Sequence, residues 1–207
     1  MTPLPKKSKR MLIIGLTGSI GMGKSTAARI LQDLGFPIYS ADDAVHNLLR
    51  KNGRAVAYVA KQFPQTLKRG SIDRKLLGQA VFGQPDKLRT LERIIHPLIR
   101  TAERSFLQQA RANKHAAAIL EIPLLFETGA DQRCDITFCV TAPRATQHAR
   151  VLARPNMSPE RLNAILARQM PDTEKRKRAD YIIPTGKGLE ATATHLSKLL
   201  QGLGLLA

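Results

Sequence analysis

The chain has 207 residues, is 43% hydrophobic, and sets 33 Lys plus Arg against 16 Asp plus Glu for a formal net charge of +17. That length supports one sizeable core with a small appended unit, and no run reaches the ~18 apolar residues of a membrane span. The charge surplus attracts polyanions, either nucleic acid or a phosphorylated small substrate together with a nucleotide, while three Tyr, six Phe and no Trp leave little material for stacking bases.

Residues 1–10, with Lys6, Lys7, Lys9 and Arg10, read as a basic N-terminal tail without a signal-peptide cleavage site. The apolar run Met11 to Leu16 reads as a buried parallel strand. Gly18-Ser-Ile-Gly21-Met-Gly23-Lys24-Ser25 then fits GxxxxGK[ST], a phosphate-binding loop. Polyphosphate is held largely by converging backbone N–H groups, which is why glycines are needed there. Lys24 supplies a mobile charge to the β and γ phosphates, and Ser25 a hydroxyl for Mg²⁺. A helix follows, with Ala27, Ile30, Leu31 and Leu34 at helical spacing before Gly35.

Phe36 to Ser40 reads as a second strand leading into Ala41-Asp42-Asp43. Ligands of open parallel sheets bind at the carboxyl ends of strands, so Asp42 or Asp43 is a catalytic candidate, the other being an N-cap. From Asp43 to about Arg111 no strand is expected. The apolar residues recur at helical spacing, punctuated by Gly53, Pro64, Gly70, Gly83 and Pro85. A helical insertion of this size points to substrate specificity.

Ala116 to Leu125 returns to a strand pattern, followed by Phe126-Glu127, and Asp135 to Thr141 is a fourth strand. The next helix opens at Ala142-Pro143-Arg144 and carries Arg150 and Arg154, which, four apart, are expected on one face. Ser158-Pro159-Glu160 reads as N-cap, first-turn proline and first-turn acid. Lys175 to Arg178 reads as a solvated helix face. Tyr181 to Gly186 is a fifth strand with its exit turn, and Leu189 to Leu200 a closing helix. Cys134 and Cys139 are spaced for neither zinc nor a disulfide framework, which fits a reducing cytoplasm.

Taken together, Ile14 to Thr26, Ala41-Asp42, His96-Pro97-Leu98-Ile99, Pro123-Leu124-Leu125-Phe126-Glu127 and Ala179-Asp180-Tyr181-Ile182-Ile183 make the chain resemble the dephospho-CoA kinase family over nearly its whole length. The resemblance implies an α/β P-loop fold of three layers with a five-stranded parallel sheet, a helical CoA-binding insertion and a lid. The corresponding division is a core of 11–42, 112–145 and 179–207, a substrate subdomain of 43–111 and a lid of 146–178.

It also implies transfer of the γ-phosphoryl group of ATP, with Mg²⁺, to the 3′-hydroxyl of dephospho-CoA. Gly21, Met22, Gly23, Lys24, Ser25 and Thr26 would hold ATP phosphates, and Thr185 and Gly186 would lie beside adenine. Asp42 would be the base, Arg150 and Arg154 would close over the phosphates, and His96, Arg100 and Leu124 would contact the acceptor. A helix-packing role suits His96 equally. Glu121 and Glu127 are candidates to reach Mg²⁺ through water.

Two departures stand out. The family usually has Asp-Ala-Asp where this chain has Ser40-Ala41-Asp42, and often Asn where this chain has Thr185. A small-molecule substrate, no nucleic acid, no membrane, and a monomer or weak homo-oligomer are expected. The alternatives are another small-molecule or nucleotide P-loop kinase and, from a different class, a nucleic-acid-binding ATPase.

Overall fold

The computed structural model describes residues 10–206, so the basic tail, apart from Arg10, lies outside the described residues. Contacts divide the chain into two units, one running up to Tyr39 and resuming at Ala110, the other comprising Ser40–Gln109.

The first unit is built on a five-stranded parallel sheet of β1 (Leu12–Thr17), β2 (Ile38–Ser40), β5 (Ala117–Glu121), β6 (Ile136–Thr141) and β7 (Tyr181–Pro184), in the order β2-β5-β1-β6-β7. The central β1 pairs in parallel with β5, Leu16 opposite Glu121, and with β6, Thr17 opposite Cys139. Every residue of β5 is buried. Since successive side chains point to opposite faces, both faces of the sheet are covered, as parallel sheets require. On one face α1 (Lys24–Asp33) and α9 (Leu189–Gly202) close a core of Ile14, Leu16, Leu31, Ile119, Phe138 and Leu196. Asp180 aligns β7, accepting hydrogen bonds from both the N–H and the hydroxyl of Thr137 at 2.8 Å.

Strand β5 stops at Glu121, earlier than the expected Leu125; Pro123 cannot donate to a ladder, and residues 123–129 form turns instead. Beyond β6 lie α6 (Arg144–Leu152), α7 (Pro159–Leu166) and α8 (Asp172–Arg178). The expected cap on α7 is present: Ser158 Oγ accepts from Arg161 N at 3.3 Å, with Pro159 in the first turn.

The second unit holds α2 (Ala41–Leu49), α3 (Val56–Gln62), α4 (Arg74–Val81) and most of α5 (Pro85–Ala112), around Leu48, Leu49, Val59, Phe63, Leu77 and Ile95. Contrary to expectation it contains strands, β3 (Leu67–Lys68) and β4 (Ser71–Ile72), paired antiparallel. Arg69 and Gly70 join them at φ 48° and 81°, the doubly left-handed turn that matches the twist of a hairpin. Helix α5 runs unbroken through Pro97.

Candidate active site

The phosphate loop follows β1 and ends in α1. Gly23, at φ 86°, occupies the N-cap position, which side chains rarely tolerate. The N–H groups of Gly21, Gly23, Lys24, Ser25 and Thr26 have no acceptor among the described residues. At the start of a ten-residue helix they form an anion site reinforced by the helix dipole. Met22 differs from its neighbours. Its N–H is spent on Ser19 O at 3.2 Å, its buried sulfur accepts from Ala142 N, and its carbonyl accepts from Thr185 Oγ1 at 2.8 Å, so it fastens the loop instead of offering an amide. Lys24 Nζ donates to Glu121 Oε1 at 2.8 Å. The register of β1 and β5 places that carboxylate beside the loop, and Ser25 is exposed.

Thr185 is the buckle of this assembly. It is 3% exposed, its N–H donates to Thr141 O at 2.8 Å, and Arg150 donates to its Oγ1 at 3.1 Å and to its carbonyl at 2.7 Å. A hydroxyl has one proton to give, and the shorter bond to Met22 O takes it in preference to Thr141 O at 3.3 Å. A Cβ on Gly23 would meet Thr185 Oγ1 at 2.9 Å, and one on the neighbouring Gly186 would meet Pro143 Cδ at 2.6 Å. The structure thus brings Thr185, Arg150 and the loop together.

Several side chains that hold this site were not singled out from the sequence. Both sides of Ile20 are gripped by glutamines. Its N–H donates to Gln169 Oε1 at 3.0 Å, and its carbonyl accepts from Gln147 Nε2 at 2.8 Å. Lys175 is wholly buried, not part of a solvated face; its ammonium lies 2.8 Å from Glu127 Oε1 and donates to Pro123 O at 3.0 Å. Glu127 also accepts from Met170 N at 2.8 Å, so its carboxylate is engaged in fastening α8 to the turn after β5. A signal was available for Gln147, which shares a helix face with Arg150 three residues on. None was available for Gln169, and for Lys175 only the general one that four consecutive residues sweep most of the way round a helix.

The expected pairing of Arg150 with Arg154 on one helix face is not found. Helix α6 ends at Leu152, and Arg154 sits exposed in the following turn. The residue before a proline disfavours helical conformation, and Pro155 therefore excludes Arg154 from the helix. Leu124 is 39% exposed on the turn that follows β5.

The other candidates belong to the second unit. Ser40, standing where the resembling family has Asp, is the N-cap of α2, its Oγ accepting from Asp43 N at 3.2 Å. Neither aspartate caps the helix. Asp42 and Asp43 occupy its first turn, favoured there by the helix dipole. His96 and Arg100 are exposed on α5, which removes helix packing as the role of His96.

A glycine loop with free amides between a central parallel strand and its helix, a lysine at its end and an exposed serine hydroxyl define a P-loop nucleotide-binding protein. The comparisons narrow the class. The dephospho-CoA kinase family profile matches residues 12–190. The dephospho-CoA kinase of Brucella melitensis is 47% identical over 193 residues, covering 93% of this chain and 96% of its own. That of Paramagnetospirillum magneticum is 54% identical over 166 residues, 80% of this chain and 78% of its own. Among solved structures, TT1252 from Thermus thermophilus superposes with a TM-score of 0.81 at 35% identity, covering 94% and 98% of the two chains. Dephospho-CoA kinase from Campylobacter jejuni gives 0.63 at 28% identity, covering 93% and 97%. The chain belongs to the dephospho-CoA kinase family.

Proposed function

We propose that this protein transfers the γ-phosphoryl group of ATP to the 3′-hydroxyl of dephospho-CoA, giving CoA and ADP. The observation that carries the reading is the loop's row of unpaired amides beside Lys24, in a chain matched along most of its length by dephospho-CoA kinases.

Phosphoryl transfer asks the protein mainly for positioning and charge neutralisation. The amides of Gly21, Gly23, Lys24, Ser25 and Thr26 hold the phosphates, and Lys24 leaves Glu121 to follow the transferring group. Ser25, whose hydroxyl is exposed at the end of the loop, and Glu121, whose carboxylate lies beside it, are oxygen donors of the kind Mg²⁺ takes, Ser25 Oγ directly and Glu121 through water. Such an ion would supply neutralisation of charge on the phosphate oxygens.

Arg150, held by Thr185, lies beside the loop and the adenine side of the site, which Thr185 and Gly186 line. Residues 146–178 act as the lid, and Arg154, in its exposed turn, reaches the phosphates on closure and excludes water. Asp42 accepts the proton of the acceptor hydroxyl, and the 43–111 unit with His96, Arg100 and Leu124 receives the acceptor. Two free thiols support a cytoplasmic setting.

Incubation with ATP and dephospho-CoA should yield ADP and a product heavier by one phosphate. Formation of ADP only with a nucleoside monophosphate or another small acceptor would replace this reading. Asp42→Asn should lower kcat by roughly a hundredfold or more, and unchanged turnover would remove Asp42 as the base.

A further inference from the structure

Helix α5 has two faces of different character. Leu91, Ile94, Ile95, Leu98 and Ile99 pack into the core of the second unit. The opposite face forms an open groove of about 630 Å³ lined by Arg89, Arg93, His96, Arg100 and Arg104, with Glu92 its one carboxylate. Arg89 is already paired with Asp86 at 2.5 Å. Arg93 and Arg104 make only 3.4 Å contacts to their own helix, and the Arg100 guanidinium has no partner among the described residues.

An ordinary solvated helix face alternates charges so that neighbours at i, i+4 attract. Here the i, i+4 pairs Arg89/Arg93 and Arg100/Arg104 are like-charged, which weakens the helix unless an anion lies between them. The cations are all arginine, whose planar fork binds phosphate oxygens in pairs where lysine offers a point charge. Arg100 and Arg104 are rooted about 6 Å apart along the axis and Arg93 about 10 Å before Arg100, spans that side chains this long can close onto a single diphosphate.

We infer that Arg93, Arg100 and Arg104, with His96 between them, form the subsite for the diphosphate of dephospho-CoA. This inference rests on the proposed acceptor and adds the part of it that is recognised. The diphosphate is the charged segment of dephospho-CoA. The ATP phosphates have their own cradle on the first unit, so the α5 face supplies the charge that the acceptor needs.

The test compares the full-length parent with Arg93→Gln/Arg100→Gln and with the triple variant adding Arg104→Gln. All three side chains are exposed and the variants relieve like-charge pairs, so the midpoint of thermal unfolding monitored by circular dichroism should not fall. Dephospho-CoA binding is measured by calorimetry across a salt series, alongside KM for ATP and for dephospho-CoA. The double variant should weaken dephospho-CoA binding at least tenfold, leave the KM for ATP within twofold, and flatten the salt dependence, since fewer charges then act on the anion. Adenosine, which keeps the ribose hydroxyl but lacks the diphosphate, should have the same inhibition constant on parent and variant.

Equal loss of adenosine competition, or unchanged dephospho-CoA affinity, would overturn the subsite. So would loss of duplex DNA binding with dephospho-CoA binding intact, which would mark the face as a nucleic-acid surface. A parent that does not phosphorylate dephospho-CoA at all would instead refute the proposed reaction, a distinct outcome.

Discussion

Gly23 answers two demands at once, a left-handed backbone at φ 86° and a gap of less than a side chain beside Thr185. Gly23→Ala should therefore raise the KM for ATP by about tenfold or more, because left-handed backbone alone costs about 1–2 kcal/mol before the contact is relieved. Kinetics at saturating acceptor would show it. Thr185→Val keeps the shape but removes the proton given to Met22 O and the oxygen taken by Arg150. It should destabilise the fold by about 1–3 kcal/mol in urea titrations, the range for leaving a buried polar group unpaired, and Thr185→Ser should restore most of it. Lys24 and Ser25 were legible in the sequence because a contiguous motif encodes them. Gln169 was not, since it reaches Ile20 from 149 residues away and no local pattern marks it, and for Gln147, 127 residues away, the only sign was its place on the helix face of Arg150.

Helix α8 shows what composition hides at the scale of an element. Four consecutive basic residues, Lys175 to Arg178, suggest uniform exposure, yet a helix turns 100° per residue and one member of such a run must face inward. That member is Lys175, wholly buried and matched by Glu127. Lys175→Met should cost about 1–3 kcal/mol in chemical denaturation, because it removes the partner of Glu127 and leaves Pro123 O without its donor. Adding Glu127→Gln should recover part of the loss, the amide oxygen still accepting from Met170 N. The long elements β1, α1, β6, α7 and α9 were readable from periodicity and caps. The β3–β4 hairpin was not, because two-residue strands are too short to alternate, and only the Arg69-Gly70 turn could have signalled it. The end of α6 was readable in principle from Pro155.

At the scale of the whole molecule, the sheet and the helical unit were visible as a change of periodicity near Asp43, whereas the fastening of the loop by distant side chains emerges only in three dimensions. Burial in β6 pushes the Cys139 thiol up from about 9 to about 12, with Asp172 adding to the rise. A raised thiol pKa adds stability that is fully present below about pH 9 and is lost as pH climbs toward about 12. Cys139→Ala should flatten the decline of stability over that window, and native Cys139 should resist alkylation at pH 8. The +17 charge leaves nucleic acid a rival partner to be tested. Single- or double-stranded DNA and RNA should leave ATP hydrolysis unstimulated, and strong stimulation would favour the rival.

The ion pair of Lys24 with Glu121 makes the resting cradle nearly neutral. The pair is an internal counterion: an anion held by the five open amides recruits the lysine only by drawing it from a carboxylate already in place, so Lys24 comes to the phosphates by exchange of partners and is never left a bare charge in a part-buried cradle.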